Sequence, residues 1–216
     1  KKIIISPSEI EKNFSNLQKI IQKLLNLKIN RETKIICIGG GVVQDISSFL
    51  SSIIFRGIDW YFYPTTIISQ CDSCIGGKTS INFYGKKNQL GNFNPPKKIF
   101  IDVNFLKTLS IKEIRSGIGE MSHYFFVSSK KDFRYFIKNY AKSLNRDLNK
   151  LMELTYYSLK IKKRFIEKDE FDTGERLILN YGHTFGHAIE AAEGYGSWLH
   201  GEAVAAGMSL AMALSV

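Results

Sequence analysis

The sequence predicts an α/β region followed by an all-helical region, with the change near Leu109. Three observations predict this. Short apolar runs ending in Gly or Pro alternate with helical patterns through the first half. The triplet Gly39-Gly40-Gly41 joins one such run to a helix. After Val103 no strand pattern is found, while helical periodicity continues to the end. Strand, glycine loop, helix, strand is the rhythm of a parallel sheet with helices packed on it. The expected domains are therefore residues 1–109 and 110–216.

Ser6-Pro7-Ser8-Glu9 has the form of a capping box with Pro at the first helical position. Ile10, Phe14, Leu17, Ile21, Leu24 and Leu25 follow at helical spacing. Lys34 to Ile38 reads as a buried strand, Val42 to Phe55 as a helix, and Trp60 to Tyr63 as a strand stopped by Pro64. Ile99 to Val103 reads as a third strand. Ser110-Ile111-Lys112-Glu113 is a second capping box, opening a helix to about Val127. Helical patterns follow over Asp132 to Leu144, Leu148 to Lys168, Asn180 to Ala192 and His200 to Val216. No internal repeat or low-complexity linker interrupts them.

The chain has 216 residues, 44% of them hydrophobic and 23% charged, enough to bury a core without disulfides. The three cysteines, Cys37, Cys71 and Cys74, cannot all pair, and no secretory signal is visible. Both favour a reducing, cytoplasmic setting. No apolar run is long enough for a membrane span, and no membrane partner is expected. The net charge is +10, but the basic residues are scattered and no nucleic-acid motif accompanies them. Attraction of an anionic small molecule is the better reading of that charge, with no nucleic-acid partner. The start at Lys1-Lys2-Ile3 and the apolar end after Ala203 are read as truncations.

All four histidines lie in the helical half. His183 and His187 are spaced i, i+4 and project from one helix face, and His200 opens the next helix. Imidazoles from two adjoining helices, joined by a carboxylate such as Glu120, suit a metal ion. The competing reading is capping or core histidines. The zincin pattern is absent, because Thr184 stands where its Glu belongs. Gly39-Gly40-Gly41-Val42-Val43-Gln44-Asp45 lets backbone N–H groups approach a phosphate at a helix N-terminus, or is an ordinary tight turn. Lys78, Lys86, Lys87 and Asn88 add phosphate contacts, and Thr65 and Thr66 sit at a strand end, the usual ligand side of such a sheet. Cys71-Asp72-Ser73-Cys74 matches Cys-x-x-Cys but reads best as small buried residues beside Asp72. Asp169, Glu170 and Asp172 before Arg176 and Asn180 could line a pocket as acid, base and anion clamp, or form a solvated face.

The order of these pieces is more specific than any one of them. Gly-Gly-Gly-Val-Val-x-Asp, Arg-Gly, Pro-Thr-Thr, Asp-Ser-x-x-Gly-Gly-Lys-Thr and Lys-Asn run in sequence. Asn-x-Gly-His-Thr-Phe-Gly-His-Ala-Ile-Glu and His-Gly-Glu-Ala-Val-Ala-x-Gly-Met close the series, and Asn180 to Met208 is its most specific part. The chain resembles the dehydroquinate synthase family of sugar-phosphate cyclases over essentially its whole length. The resemblance implies an N-terminal Rossmann-like NAD-binding α/β domain and a C-terminal all-helical metal-binding domain.

It further implies Zn2+, or Co2+, on Glu120, His183 and His200, with NAD contacted by Glu9, Lys12, Gly41, Val42, Asp45, Thr65, Thr66, Lys87 and Thr108. Asp72, Lys78, Asn88, Lys162, Arg176 and Asn180 fall on substrate positions, and His187 on an acid/base position. Asp172 and His123 also fall within the implied site. Arg56 matches an arginine that reaches a neighbouring subunit, so a homodimer is implied. The implied substrate is an anionic sugar-phosphate acid. The implied reaction is transient oxidation by NAD, phosphate elimination and aldol closure.

Three positions depart from the family pattern. His123 stands where a lysine is usual, Asp172 where a glutamate is usual, and Gln44 where a glycine is usual, which is expected to crowd the cofactor loop. The alternatives are a divergent cyclase with altered substrate, a polyol dehydrogenase of related fold, and an inactive paralogue.

Overall fold

The computed structural model describes residues 1–193 and 197–215. Their contacts divide the chain into two compact units, Lys1–Thr65 with Ser73–Asp102, and Thr66–Asp72 with Val103–Val216. No helix among the described residues is long and apolar enough to cross a membrane.

The first unit holds α1 (Phe14–Asn26), β1 (Ile35–Gly39), α2 (Gly41–Ile53), β2 (Trp60–Pro64), β3 (Lys78–Phe83), β4 (Lys86–Phe93) and β5 (Lys98–Ile99). Strands β1, β2 and β5 form a parallel sheet in that order, with Ile35 opposite Trp60 and Phe62 opposite Ile99. Helix α2 packs on it through Ile46 and Leu50, which join Leu17 and Ile20 of α1 in one apolar cluster. Burying each such side chain stabilises the unit by about 1.5–3 kcal/mol before entropy is counted.

Several expectations are corrected here. The first helix is not capped at Ser8, which makes no side-chain cap bond; only a short 3-10 turn forms at Glu9–Glu11. The cap is Asn13, whose side-chain oxygen accepts from the Asn16 N–H at 2.8 Å. Asparagine in extended backbone is the stronger cap, and it leaves Ile10 82% exposed outside the helix. Strand β1 is not buried on both faces. Its side chains alternate, so Cys37 is 2% exposed while Ile36 is 63% exposed. The third strand shrinks to the two residues of β5.

The antiparallel hairpin β3–β4 was not foreseen. Its turn uses Tyr84 (φ 50) and Gly85 (φ 74), positive at both positions, which matches the twist of the flanking strands. Gln44 does not crowd the glycine loop. Its side chain is buried, donates to the Ser73 carbonyl at 2.6 Å and accepts from the Ser73 hydroxyl at 2.6 Å.

The second unit holds α3 (Ile111–Ser128), α4 (Lys130–Leu144), α5 (Leu148–Lys168), α6 (His183–Ala192) and α7 (His200–Leu214). The expected capping box forms in full: Ser110 Oγ accepts from Glu113 N–H, and Glu113 accepts from Ser110 N–H. Ile114, Ile118, Met121 and Phe125 of α3 pack with Leu151, Leu154 and Ile161 of α5 as the core. The helix expected from Asn180 begins only at His183, because Gly182 takes a left-handed conformation (φ 85). Val216, the expected end of the last helix, lies outside the described residues.

Candidate functional site

Helices α3, α6 and α7 approach unusually closely because glycine stands at each crossing. A Cβ on Gly201 would lie 1.8 Å from the Ser116 carbonyl oxygen, and one on Gly207 would lie 2.2 Å from that of Gly182. The Gly201 N–H donates to Ser116 Oγ at 3.1 Å, tying the start of α7 to α3. Glu120 lies one turn beyond Ser116 on α3. It therefore faces His200, the first residue of α7, and His183, the first residue of α6.

Glu120 is 2% exposed. Its Oε1 lies 3.6 Å from His183 Nε2, and its Oε2 lies 3.6 Å from His200 Nε2. These separations are too long for hydrogen bonds. Two ligands about 2.0–2.1 Å from a tetrahedral ion stand about 3.3–3.4 Å apart, so the spacing suits one shared divalent cation. Glu120 Oε2 is buried with no hydrogen-bond partner, as expected of an atom kept for a cation. One donor atom from each of Glu120, His183 and His200 lies within 4.8 Å of the other two.

Burial alone would disfavour the Glu120 carboxylate. The imidazoles of His123, His183 and His200 outweigh it and hold the acid well below the usual carboxylate range. Burial also pushes His200 down, but its bond to Glu190 and the charge of Glu120 leave it above the ordinary histidine range. His123 is 1% exposed, and neither ring nitrogen has a hydrogen-bond partner. Burial pushes its pKa down against the charge of Glu120.

A second polar group lies in the same unit. Lys162, 7% exposed, donates to the Asp72 carboxylate and to the Asp72 carbonyl, the latter at 2.8 Å. The Tyr124 hydroxyl donates to the same carboxylate. Burial opposes ionisation of Asp72, but the Lys162 ammonium holds its carboxyl below the usual range. Arg176 is buried and donates to the Glu170 carbonyl at 2.5 Å. Asp169 does not act as a free acid. Its carboxylate accepts the N–H groups of Thr173, Gly174 and Arg176 and so organises the loop after α5. Asp172 sits in that loop at φ 59. Asn180 ends a short 3-10 segment, Glu175–Asn180, and is exposed. His187 is exposed on α6, its ring stacked 5.6 Å from that of His200. Thr66 bonds Ser69 Oγ at 2.9 Å, and Thr108 donates to the Phe105 carbonyl at 3.3 Å.

In the first unit the structure gathers Glu9, Lys12, Asp45 and Asn88. Buried Lys12 donates to Asn88 Oδ1 at 2.7 Å and Asp45 Oδ2 at 3.0 Å, with Glu9 Oε1 at 3.3 Å. Burial pushes Asp45 up despite the Lys12 charge. Gly41 and Val42 open α2 directly after β1, and a Cβ on Gly41 would meet nothing within 4 Å. That open space beside a helix N-terminus fits a phosphate group approaching the backbone. The Thr65 N–H donates to Gly39 O at 3.0 Å. Lys78 opens β3 and Lys87 lies in β4. Arg56 is exposed at a corner where Phe55, Arg56 and Gly57 all have positive φ. All three cysteines are buried and outside any disulfide, and burial pushes Cys37 up to about 12, against a redox or metal role for that thiol.

Sequence reasoning missed Tyr124, Ser80 and Glu190. Tyr124 stands four residues after Glu120 on α3, a spacing that could have revealed it. Ser80 donates to Asn88 Oδ1 at 2.8 Å and Asp45 Oδ2 at 3.1 Å, and only the hairpin brings it there. Glu190 stood inside the Asn180–Glu190 motif without a role.

Residues 2–116 match the family model described as 3-dehydroquinate synthase N-terminal, and residues 117–216 match 3-dehydroquinate synthase C-terminal. A 3-dehydroquinate synthase of Pseudoalteromonas atlantica is 42% identical over 97% of this chain and 59% of its own length. The chain thus spans about three fifths of the curated relatives it matches. Among solved structures, 2-epi-5-epi-valiolone synthase from Streptomyces hygroscopicus subsp. jinggangensis, with NAD+ and Zn2+ bound, superposes with TM-score 0.88 at 26% identity, covering 95% of this chain and 58% of that one. A 2-deoxy-scyllo-inosose synthase complexed with carbaglucose-6-phosphate, NAD+ and Co2+ superposes with TM-score 0.90 at 26% identity, covering 99% of this chain and 59% of that one.

Proposed function

Because the chain belongs to the 3-dehydroquinate synthase family, we propose that the full-length protein converts 3-deoxy-D-arabino-heptulosonate 7-phosphate to 3-dehydroquinate and phosphate. The observation that carries this is buried Glu120 with His183 and His200 at 3.6 Å, a spacing that suits a divalent cation, within a chain 42% identical to such a synthase. The two units are then the NAD-binding and metal-binding domains. The protein is a cytoplasmic homodimer, with exposed Arg56 reaching the neighbouring subunit.

Zn2+ or Co2+ on Glu120, His183 and His200 would supply Lewis-acid activation of a substrate hydroxyl, and NAD a reversible hydride acceptor. The remaining roles belong to this chain. Glu9, Lys12, Gly41, Val42, Asp45, Thr65, Thr66, Lys87 and Thr108 hold the dinucleotide. Arg176 and Lys162 meet the substrate carboxylate, Lys78, Asn88 and His187 its phosphate, and Asn180 also contacts substrate. His187, exposed on α6, is placed to move a proton beside the metal ligands. Asp72, held ionised by Lys162, is a fixed acceptor for a substrate hydroxyl.

The test is phosphate release by the full-length protein given this seven-carbon keto-acid phosphate, NAD and zinc. Dehydroquinate formed alongside phosphate supports the reading, and zinc and NAD bound with no release refutes it. One observation favours a second reading, a cyclase of altered substrate. Buried His123, its pKa pushed down by burial, stands where the family has a permanent lysine cation, at a site whose solved neighbours include cyclases of other sugar phosphates. Phosphate release from a hexose or another heptulose phosphate, and not from the keto acid, would select it.

A further inference from the structure

His200 presents its two ring nitrogens to two different carboxylates. Nε2 lies 3.6 Å from Glu120 Oε2, the spacing of ligands around one ion. Nδ1 lies 3.2 Å from Glu190 Oε2, at the outer limit of a hydrogen bond. Glu190 lies on α6, three residues beyond His187, and is only 8% exposed. A carboxylate so buried is retained only where it has a partner. Resting on the metal-binding reading above, we propose that Glu190 is a positioning residue: its carboxylate accepts the Nδ1–H of His200, leaving the Nε2 lone pair facing the ion.

A neutral imidazole carries one proton, and only the nitrogen without it can ligate. An unconstrained ring divides that proton between its nitrogens, so some of its population has the wrong tautomer. A carboxylate at Nδ1 removes that population, fixes the ring plane and raises the basicity of Nε2. His183 has no such help, since its Nδ1 is buried without a hydrogen-bond partner. Glu190 therefore acts on one ligand of the set.

His187, Glu190 and His200 also offer atoms within 4.8 Å of one another, so they could in principle hold an ion of their own. That ion would take the Nδ1 of His200 while the first takes Nε2. The ring would then have to lose both protons. A single ion with Glu190 as hydrogen-bond acceptor needs no such species.

The experiment measures zinc affinity of the full-length protein by competition with a chromophoric chelator, for the unaltered protein, E190A, E190Q and H183A. It is paired with the Co2+ absorption spectrum and thermal unfolding of the metal-free forms. E190A should bind zinc about 10–100-fold more weakly, with shifted Co2+ bands. E190Q, whose amide oxygen still accepts from Nδ1–H, should recover part of that loss. Wild-type affinity in E190A would overturn the proposal, as would loss confined to the melting temperature of the metal-free protein. Two zinc ions per chain, with one lost in E190A, would replace it with the second-ion arrangement. Absence of zinc from the unaltered protein, or equal affinity in H183A, would overturn the metal-binding reading and this proposal with it.

Discussion

Gly201→Ala adds a single methyl group where α7 meets α3, and the structure sets the size of its effect. The new Cβ would lie 1.8 Å from the Ser116 carbonyl oxygen, 2.7 Å from its carbon and 2.8 Å from the Glu120 nitrogen. All three are backbone atoms and cannot swing aside. Even the tightest contact a Cβ makes is about 3.0 Å, so the start of α7 must retreat by about 1.2 Å. His200 is the adjacent residue and moves with it. Its Nε2, now 3.6 Å from Glu120 Oε2, would stand up to about 4.8 Å away, the full retreat being added along that line. Two ligands on one ion with bonds of about 2.0–2.1 Å can never be more than about 4.2 Å apart. The ion then loses either His200 or Glu120. The variant should bind zinc at least about 10–100-fold more weakly, the range that disturbing a ligand's support costs. Overpacking should lower the stability of the metal-free protein by about 1–3 kcal/mol. Urea unfolding and chelator competition on the full-length protein measure both. Zinc affinity within threefold of wild type, with stability within about 0.5 kcal/mol, would refute the view that glycine-permitted contact sets the site.

Three further outcomes follow from the same geometry. Gly41→Ala meets no neighbour within 4 Å, so it should leave stability unchanged or slightly improved while weakening NAD binding, read by calorimetry. His183→Ala and His200→Ala should abolish bound zinc, whereas His187→Ala should retain it and lower turnover; metal analysis with kcat separates them, and equal metal loss in all three would mean a different ligand set. Lys162→Met leaves the Asp72 carboxylate uncompensated and should cost about 3 kcal/mol at pH 7. In the wild type the depressed pKa of Asp72 contributes stability above about pH 4 that is lost as pH falls through the lower folded value. The gap between variant and wild type should therefore narrow on acidification, and a gap that widens would contradict the assigned ion pair.

What the sequence made legible was what rests on strong local chemistry. The glycine triplet between β1 and α2, the Ser110 capping box and the long periodicity of α5 each follow from backbone rules that packing did not override. The hairpin β3–β4 was invisible because β4 carries Lys86, Asn88 and Gln89 with no clear alternation, and its order comes from a two-residue turn. Glu120, His183 and His200 were legible because histidine is rare in this chain and metal chemistry needs it. Glu190 and Tyr124 were not, because each is marked out by its contact with another side chain, which spacing alone does not reveal. For Asp169 the sequence left a pocket role and a solvated face both open. Three backbone N–H groups claim its carboxylate, a local bond that competes with any role in a pocket.

In the proposed reaction phosphate is eliminated while NAD is used and restored. The most direct measurement gives the full-length protein zinc, excess 3-deoxy-D-arabino-heptulosonate 7-phosphate and a single equivalent of NAD. Phosphate and nicotinamide absorbance are then followed together. Many phosphates should be released per NAD with no accumulation of NADH. NADH rising to one equivalent while phosphate release stops, or NADH formed without phosphate, would contradict it and identify the protein as a dehydrogenase.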